Sequence, residues 1–257
     1  ACGLAALAGF APGVGVVGYT LGGGLGWLAR SHGLAAASVT AADVVTADGV
    51  LRRVGPGSDP DLLWALRGGG GSFGIVTALE FRLYPITTVH AGALAWPAAE
   101  ARRVLRAWRA WTAALPASVT SVARVLHLPP LPELPPALRG RSLVVVEAAM
   151  QEDAAEADRL LAGLRALAPE QDSFADVPVA DLGALHLDPV DPTPTAGHGV
   201  LLADLPVEAV DAFADALTGP GGTALASAEL RHLGGALAPE RAEGGAVAAL
   251  DAPYALF

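Results

Sequence analysis

Ala1 to Ala29 holds no charged side chain and nine glycines, and few folds accept such a stretch. A charge-free run of this length raises the question of a membrane span, for which about 20 consecutive apolar residues suffice. The glycines and Pro12 argue against one. In a helix interior each glycine costs about 1 kcal/mol and proline about 3 kcal/mol relative to alanine, and a bilayer offers no water to satisfy the backbone they free. The run also lacks the basic start of a secretory signal. No membrane span is expected. From Phe10 to Trp27 the glycines are too dense for a helix, so a backbone-rich loop is expected there.

The rest of the chain is that of a compact globular protein: 53% hydrophobic and 16% charged over 257 residues, enough for one large domain or two modest ones. A net charge of −10 leaves no basic footprint for a phosphate backbone, which excludes nucleic acid as a partner. The single cysteine, Cys2, can neither form an internal disulfide nor complete a metal site. The sequence opens on Ala-Cys-Gly-Leu and closes on the apolar run Tyr254-Ala255-Leu256-Phe257, which reads as an internal piece of a longer protein. Localisation and oligomeric state are not encoded in these features.

Val39 to Val54 alternates β-branched residues around Asp48-Gly49, a hairpin signal. Asp59 to Leu66 reads as a short helix capped by Ser58 and ended by Gly68 to Gly71, and Ile75 to Leu83 as a strand. Beyond Pro85 glycine becomes sparse and long amphipathic helices begin, so a boundary near residue 88 divides a region 1–88 from a region 89–257. Trp96 to Leu115 places Val104, Leu105, Trp108, Trp111 and Leu115 on one helical stripe, which makes both tryptophans core residues. Strands are expected at 118–128 and 141–150 around a proline-rich linker, Pro129 to Pro136. A helix from Gln151 to Leu167 carries Glu152 and Asp153 in its first turn; strand and helix recur at 200–205 and 206–217, and strands at 224–233 and 246–257 close the pattern. The fold class is α+β, with helices covering one face of an antiparallel sheet.

Gly13, Gly15 and Gly18 match G-x-G-x-x-G, which makes a dinucleotide turn only between a strand and a helix. Pro12 sits where that strand should end, and Gly22, Gly23, Gly24 and Gly26 weaken the helix that should follow. A loop this rich in glycine instead suits backbone lying against a large flat or phosphorylated ligand. Tight turns and bulges alone are the bland alternative.

Gly13-Val14-Gly15-Val16-Val17-Gly18-Tyr19-Thr20-Leu21-Gly22-Gly23-Gly24-Leu25-Gly26 resembles the flavin loop of berberine-bridge-like oxidases. Arg30-Ser31-His32-Gly33-Leu34-Ala35-Ala36 follows, then the hairpin. Asp61-Leu62-Leu63-Trp64-Ala65-Leu66-Arg67-Gly68-Gly69-Gly70-Gly71-Ser72-Phe73-Gly74-Ile75-Val76-Thr77 comes next, in the family's order and spacing. A further block, Glu229-Leu230-Arg231-His232-Leu233-Gly234-Gly235-Ala236, resembles a strand of that family's substrate domain.

The resemblance implies the second half of a two-part FAD-binding domain of the vanillyl-alcohol oxidase and p-cresol methylhydroxylase type. A substrate domain with an antiparallel sheet over the isoalloxazine ring would follow it. It implies FAD as cofactor, and hydride transfer from an alcohol, sugar or alkaloid-like substrate to flavin N5, with electrons passed to O₂ or another acceptor. The protein would position the flavin and tune it. The residues implied in cofactor binding are Gly13, Val14, Gly15, Gly18, Tyr19, Gly22, Gly23, Gly24 and Gly26 on the loop, with Gly74, Ile75 and Val76 beyond it. Where many relatives attach FAD through cysteine, Ala11 stands here; where many have a histidine near the ribityl chain, Tyr19 does. The family's other attachment point, a Gly-Gly-His segment, does not occur in this sequence. Tyr19, Arg231 and His232 are the candidates for contact with the reacting groups; strand alternation lets only one of the last two face substrate. No residue is singled out as general base.

His186, Asp188, Asp191 and His198 invite a metal reading, but their prolines mark a surface loop and no His-x-x-x-His face is present, so no metal is expected. Neither a Gly-x-Ser-x-Gly elbow nor a phosphate-loop lysine motif occurs. The rival readings are an NAD(P)-dependent Rossmann enzyme and a non-catalytic relic of the flavoprotein fold.

Overall fold

The computed structural model describes residues 3–132, 136–188, 196–241 and 244–257. Two compact units divide the chain. The first takes Ala1–Val89, Val177–Pro194 and Gly234–Asp251, the second His90–Asp176, Thr195–Leu233 and Ala252–Phe257.

In the first unit two short helices, α1 (Val16–Leu21) and α2 (Ala29–His32), precede strands β1 (Val39–Val45) and β2 (Leu51–Val54), helix α3 (Pro60–Gly69) and strand β3 (Ile75–Phe81). Helix α1 corrects the expectation of a loop. Only Gly18 lies inside it, while Gly15 and Gly22 occupy its caps, where glycine costs little. The expected hairpin is present: β1 and β2 pair antiparallel from Ala42↔Val54 to Val45↔Leu51, with Gly49 at φ +76 in the turn. β1 also pairs with β3, giving the order β2-β1-β3. The cap of α3 is Asp59, not Ser58. Its carboxylate accepts from the Leu62 N–H at 3.0 Å, which a residue one position earlier cannot reach in that geometry. Leu21, Val39, Ala42, Val44, Val54, Leu63 and Leu66 form the core of this unit.

The second unit is built on β4 (Thr88–Pro97), α4 (Ala101–Thr112), β5 (Val119–His127), β6 (Ser142–Met150), α5 (Ala154–Arg165), β7 (Gln171–Asp172), β8 (Ala175–Pro178), β9 (Val200–Leu202), α6 (Val207–Thr218), β10 (Ser227–His232) and β11 (Tyr254–Leu256). They form an eight-stranded sheet, ordered β7-β4-β6-β5-β10-β11-β9 with β8 beside β4. Neighbours pair antiparallel, as from His90↔Met150 to Pro97↔Leu143. Helices α4, α5 and α6 bury their apolar stripes on one face of it: Val104, Leu105, Trp108, Leu161, Leu164, Val210 and Leu217 join Val119, Ala123, Val146, Ala148 and Leu230.

Three boundaries differ from expectation. Trp96 lies near the end of β4 rather than opening the helix; its alanine-rich strand has low β-propensity and is hidden in the sequence, and a short turn at Ala98–Glu100 separates it from α4. Asp153 caps α5 instead of lying in its first turn, accepting from the Glu156 N–H at 2.9 Å. The last strand is confined to Tyr254–Leu256. Among the described residues no helix is long and apolar enough to cross a membrane.

Candidate functional site

In the first unit the glycine-rich segment wraps around one aromatic side chain. The Tyr19 ring lies where three glycines leave room: a Cβ on Gly9 would sit 2.9 Å from the ring, on Gly24 3.0 Å from it, and on Gly26 2.9 Å from the phenol oxygen. Gly24 is also held at φ +79, and Gly23 at φ +118, so both positions favour glycine for backbone reasons as well. Carbonyls of Gly23 and Gly24 accept from Ala36 and Ala35 N–H at 2.8 and 2.9 Å, tying the loop to the segment after α2. The phenol oxygen is buried, and among the described residues it has no hydrogen-bond partner. Burial pushes the Tyr19 phenol above its ordinary range, so at ordinary pH it is a neutral donor and not a phenolate.

Tyr19 forms part of the wall of a cavity of about 410 Å³, whose other walls are apolar: Leu4 to Gly9, Ala11, Pro12, Val14, Val16, Val179, Ala180 and Gly183. Beside it, Gly13, Gly15 and Gly18 present bare backbone, since a Cβ on any of them would meet nothing within 4 Å. Val14, Val16 and Val17 are exposed around them. Gly74, Ile75 and Val76 belong to the same unit, where Val76 packs against the cluster containing Leu21 of α1. Gly74 adopts φ +150 and comes so close to β1 that a Cβ would stand 2.5 Å from the Val45 carbonyl. Ile75, 72% exposed, points away from the protein interior. A flat, partly apolar group that accepts one hydrogen bond fits this donor set: bare glycine backbone, exposed valines and isoleucine, and one buried phenol whose partner is missing.

G-x-G-x-x-G at Gly13, Gly15 and Gly18 does not make a dinucleotide turn. No strand leads into Gly13 among the described residues, and the helix after it has six residues.

The other sequence candidates are dispersed. His186 is buried between Phe10 and Trp27, with ring centroids 5.4 and 6.1 Å away, while His198 is exposed in the second unit. Asp191 and Cys2 lie outside the described residues. Among the described residues no three His, Cys, Asp or Glu side chains gather as a metal site. His232 faces the helix-covered side of the sheet and stacks on Tyr254 at 5.7 Å, whereas Arg231 projects from the other side and donates from Nε to Glu229 at 2.5 Å. Sequence reasoning missed the buried partners on that side, Arg124, Glu147 and Glu229. Arg124 and Glu147 are each a lone charge inside an apolar strand, the pattern of a buried ion pair, whereas Glu229 shares its strand with Arg231.

No family model matches the chain. A curated relative, xylooligosaccharide oxidase of Thermothelomyces thermophilus, is 46% identical over 91 residues, which is 34% of this chain and 18% of that protein. Among solved structures, 6-hydroxy-D-nicotine oxidase of Arthrobacter nicotinovorans superposes with a TM-score of 0.75 at 23% identity, covering 99% of this chain and 55% of that one. A variant of berberine bridge enzyme gives 0.71 at 20% identity over 91% of this chain and 48% of its own. The chain has the fold of the berberine-bridge-like flavoproteins. Its sequence relatives are FAD-linked oxidoreductases and oxidases. The chain spans about half the length of these solved neighbours, and the sequence match only about a fifth of the curated relatives.

Proposed function

We propose that the protein is an FAD-dependent oxidoreductase that oxidises a small organic substrate, an alcohol, sugar or alkaloid-like molecule, and passes the electrons to O₂ or another acceptor. The observation that carries this reading is the Tyr19 phenol, buried in a glycine cradle beside a 410 Å³ cavity and lacking a partner among the described residues. Leaving a buried hydroxyl unsatisfied costs about 1–3 kcal/mol, so a ligand that accepts from it is favoured.

Gly13, Val14, Gly15 and Gly18 would lie along the cofactor, with Gly22 and Gly23 continuing the loop, Gly24 and Gly26 holding Tyr19 in place behind it, and Gly74, Ile75 and Val76 as a second contact. FAD, when bound, supplies the acceptor for a hydride equivalent from substrate. Tyr19 holds its proton and donates one hydrogen bond. Ala11 offers no thiol, so flavin is not attached at that position.

The experiment is an absorption spectrum of the full-length gene product, wild type and Tyr19→Phe. Flavin bands in the wild type, and about a two- to tenfold weaker flavin affinity in the variant, follow from the loss of one neutral hydrogen bond worth about 0.5–1.5 kcal/mol. A colourless, well-folded wild type overturns the reading. Unchanged affinity in the variant returns Tyr19 to packing.

A further inference from the structure

Helix α3 is kinked at Arg67 (ψ 80) and Gly68 (φ 103), neither of which is among the proposed cofactor contacts. The chain turns out of the helix there and enters the glycine-rich loop that ends at Gly74. The Arg67 guanidinium donates to the Val39 carbonyl from Nε at 2.9 Å and from Nη2 at 2.5 Å, and to the Gly244 carbonyl from Nη1 at 3.3 Å. Its own carbonyl accepts from the Val247 N–H at 3.1 Å, and the Trp64 carbonyl accepts from the Ala246 N–H at 3.0 Å. The segments meet too closely for side chains between them. A Cβ on Gly68 would stand 2.5 Å from the Val247 Cβ, and one on Gly245 2.5 Å from the Arg67 carbonyl oxygen.

The loop beyond the kink is pinned to both ends of one strand. Val39, which takes the guanidinium where the β1–β3 ladder shifts register, opens β1; Val45, whose carbonyl lies 2.5 Å from the place of a Gly74 Cβ, closes it. Between these points the Phe73 ring folds back on Gly69, where a Cβ would lie 2.7 Å from it. Gly68, Gly70 and Gly74 all have positive φ, and glycine loses more conformational freedom than any other residue when it is fixed. Local burial offsets little of that cost, since Phe73 and Ile75 are left 41% and 72% exposed. A loop held at both ends with its apolar side chains turned outward is a surface formed in advance of its ligand.

We propose that Arg67 is a positioning residue for the cofactor: it fixes the exit of α3 against β1 and against the Gly244–Val247 segment, and through the loop it sets the placement of Gly74, Ile75 and Val76. This role rests on the FAD-dependent reading. Arg67 does not line the cavity beside Tyr19, so it acts through the loop and not on the reacting groups. Arginine suits the task because its planar fork reaches two carbonyls in a fixed geometry, whereas a lysine ammonium is a point donor on a flexible stem. Gly245 contributes only by lacking a side chain, so a substitution there opens the same clamp without altering the guanidinium.

The test is an FAD titration of the full-length protein, with visible circular dichroism of the bound flavin and thermal melting of the flavin-free form measured in parallel. Arg67→Ala and Gly245→Ala should each weaken FAD by about tenfold or more and change the visible dichroism, because the loop must then be ordered during binding. Arg67→Lys should not restore the wild-type values. Gly71→Ala, in the same loop but with nothing within 4 Å of the added Cβ, should keep the affinity within about twofold. A role in folding alone would lower the melting temperature and leave the affinity and dichroism of the folded protein unchanged; that result in Arg67→Ala overturns the proposal. If Arg67→Ala does not fold, Arg67→Lys decides, and unchanged FAD affinity in the folded lysine variant overturns it equally. A loss in Gly71→Ala as large as in Arg67→Ala would show a general sensitivity of the loop and also overturns the role of the clamp. A wild type that takes up no flavin overturns the oxidoreductase reading and this role with it, whereas a wild type and a folded Arg67 variant that bind FAD alike overturn this role alone.

Discussion

Glycine acts in opposite ways at two places along the same loop. Gly26 is structural: an added Cβ would stand 1.9 Å from the Ala8 carbonyl oxygen, a backbone atom that cannot swing away. Gly13 is open, with nothing within 4 Å. Gly26→Ala should therefore destabilise the chain by about 2–4 kcal/mol, while Gly13→Ala should change stability by less than about 0.5 kcal/mol, read by urea denaturation. Equal effects would remove the distinction between packed and ligand-facing glycines. In the hairpin turn, hydrogen bonds from the Thr46 hydroxyl, the Val50 N–H and Arg52 lower the Asp48 carboxyl from 3.8 to about 2. Its folded value is depressed, so its contribution is fully present above the unfolded value and is lost as pH falls toward 2. A carboxyl NMR titration should give a midpoint near 2 for Asp48, and Thr46→Val should raise it. A midpoint near the ordinary value would show that the turn does not hold those bonds in solution.

Helix α4 shows how an element is legible when its stripe is strong. Val104, Leu105 and Trp108 are all fully buried, and the arginines on its other side reach acids, Arg106 donating from Nε to Asp211 at 2.6 Å and Arg103 to Glu100 at 2.7 Å. Trp108 adds a polar anchor. Its indole N–H donates to Ser121 Oγ at 2.9 Å, and that hydroxyl donates on to the Glu147 carbonyl at 2.9 Å. Trp108→Ala should cost about 3–5 kcal/mol and Ser121→Ala about 1–3 kcal/mol, by the same denaturation measurement. A smaller cost for Trp108 than for Ser121 would mean that the helix is not seated on the sheet as described. Elements with weak signals were lost or misplaced for equally physical reasons. β4 is an alanine-rich strand, Trp96 looks like a helix residue because apolar residues follow it at helical spacing, and α1 is hidden because its capping glycines look like helix breakers. The candidate site was half legible: glycine density pointed to the loop around Tyr19, but Gly9, distant in sequence from Gly24 and Gly26, joins the cradle only through folding. The pairing of Arg124 with Glu147 needed the strand register, which no local pattern sets.

At the scale of the molecule, the surface that would meet the cofactor is apolar and open. Val14 and Val16 are each more than half exposed, Ile75 is 72% exposed, and Phe73 and Leu4 add to the apolar area of the same unit. Exposed apolar area of this kind is a binding surface or an aggregation liability. Tight sites bury most of a ligand's surface between opposing walls, and a cavity of about 410 Å³ lies near the small end of the range that holds drug-sized molecules. FAD is larger than those. The superposed nicotine oxidase matches this chain over 55% of its own length, so about half of that flavoprotein has no counterpart among these 257 residues. Expressed by itself, the 257-residue chain should therefore neither retain FAD through gel filtration nor show oxidase activity, because the entropic cost of binding is unchanged while much of the burial is lost. It should also self-associate through the exposed valines and Ile75. The measurement is flavin absorbance co-eluting with monomeric chain after refolding with excess FAD. A stoichiometric yellow monomer would show that these residues alone complete the flavin site, with the walls of the Tyr19 cavity closing around a ligand larger than the cavity now holds.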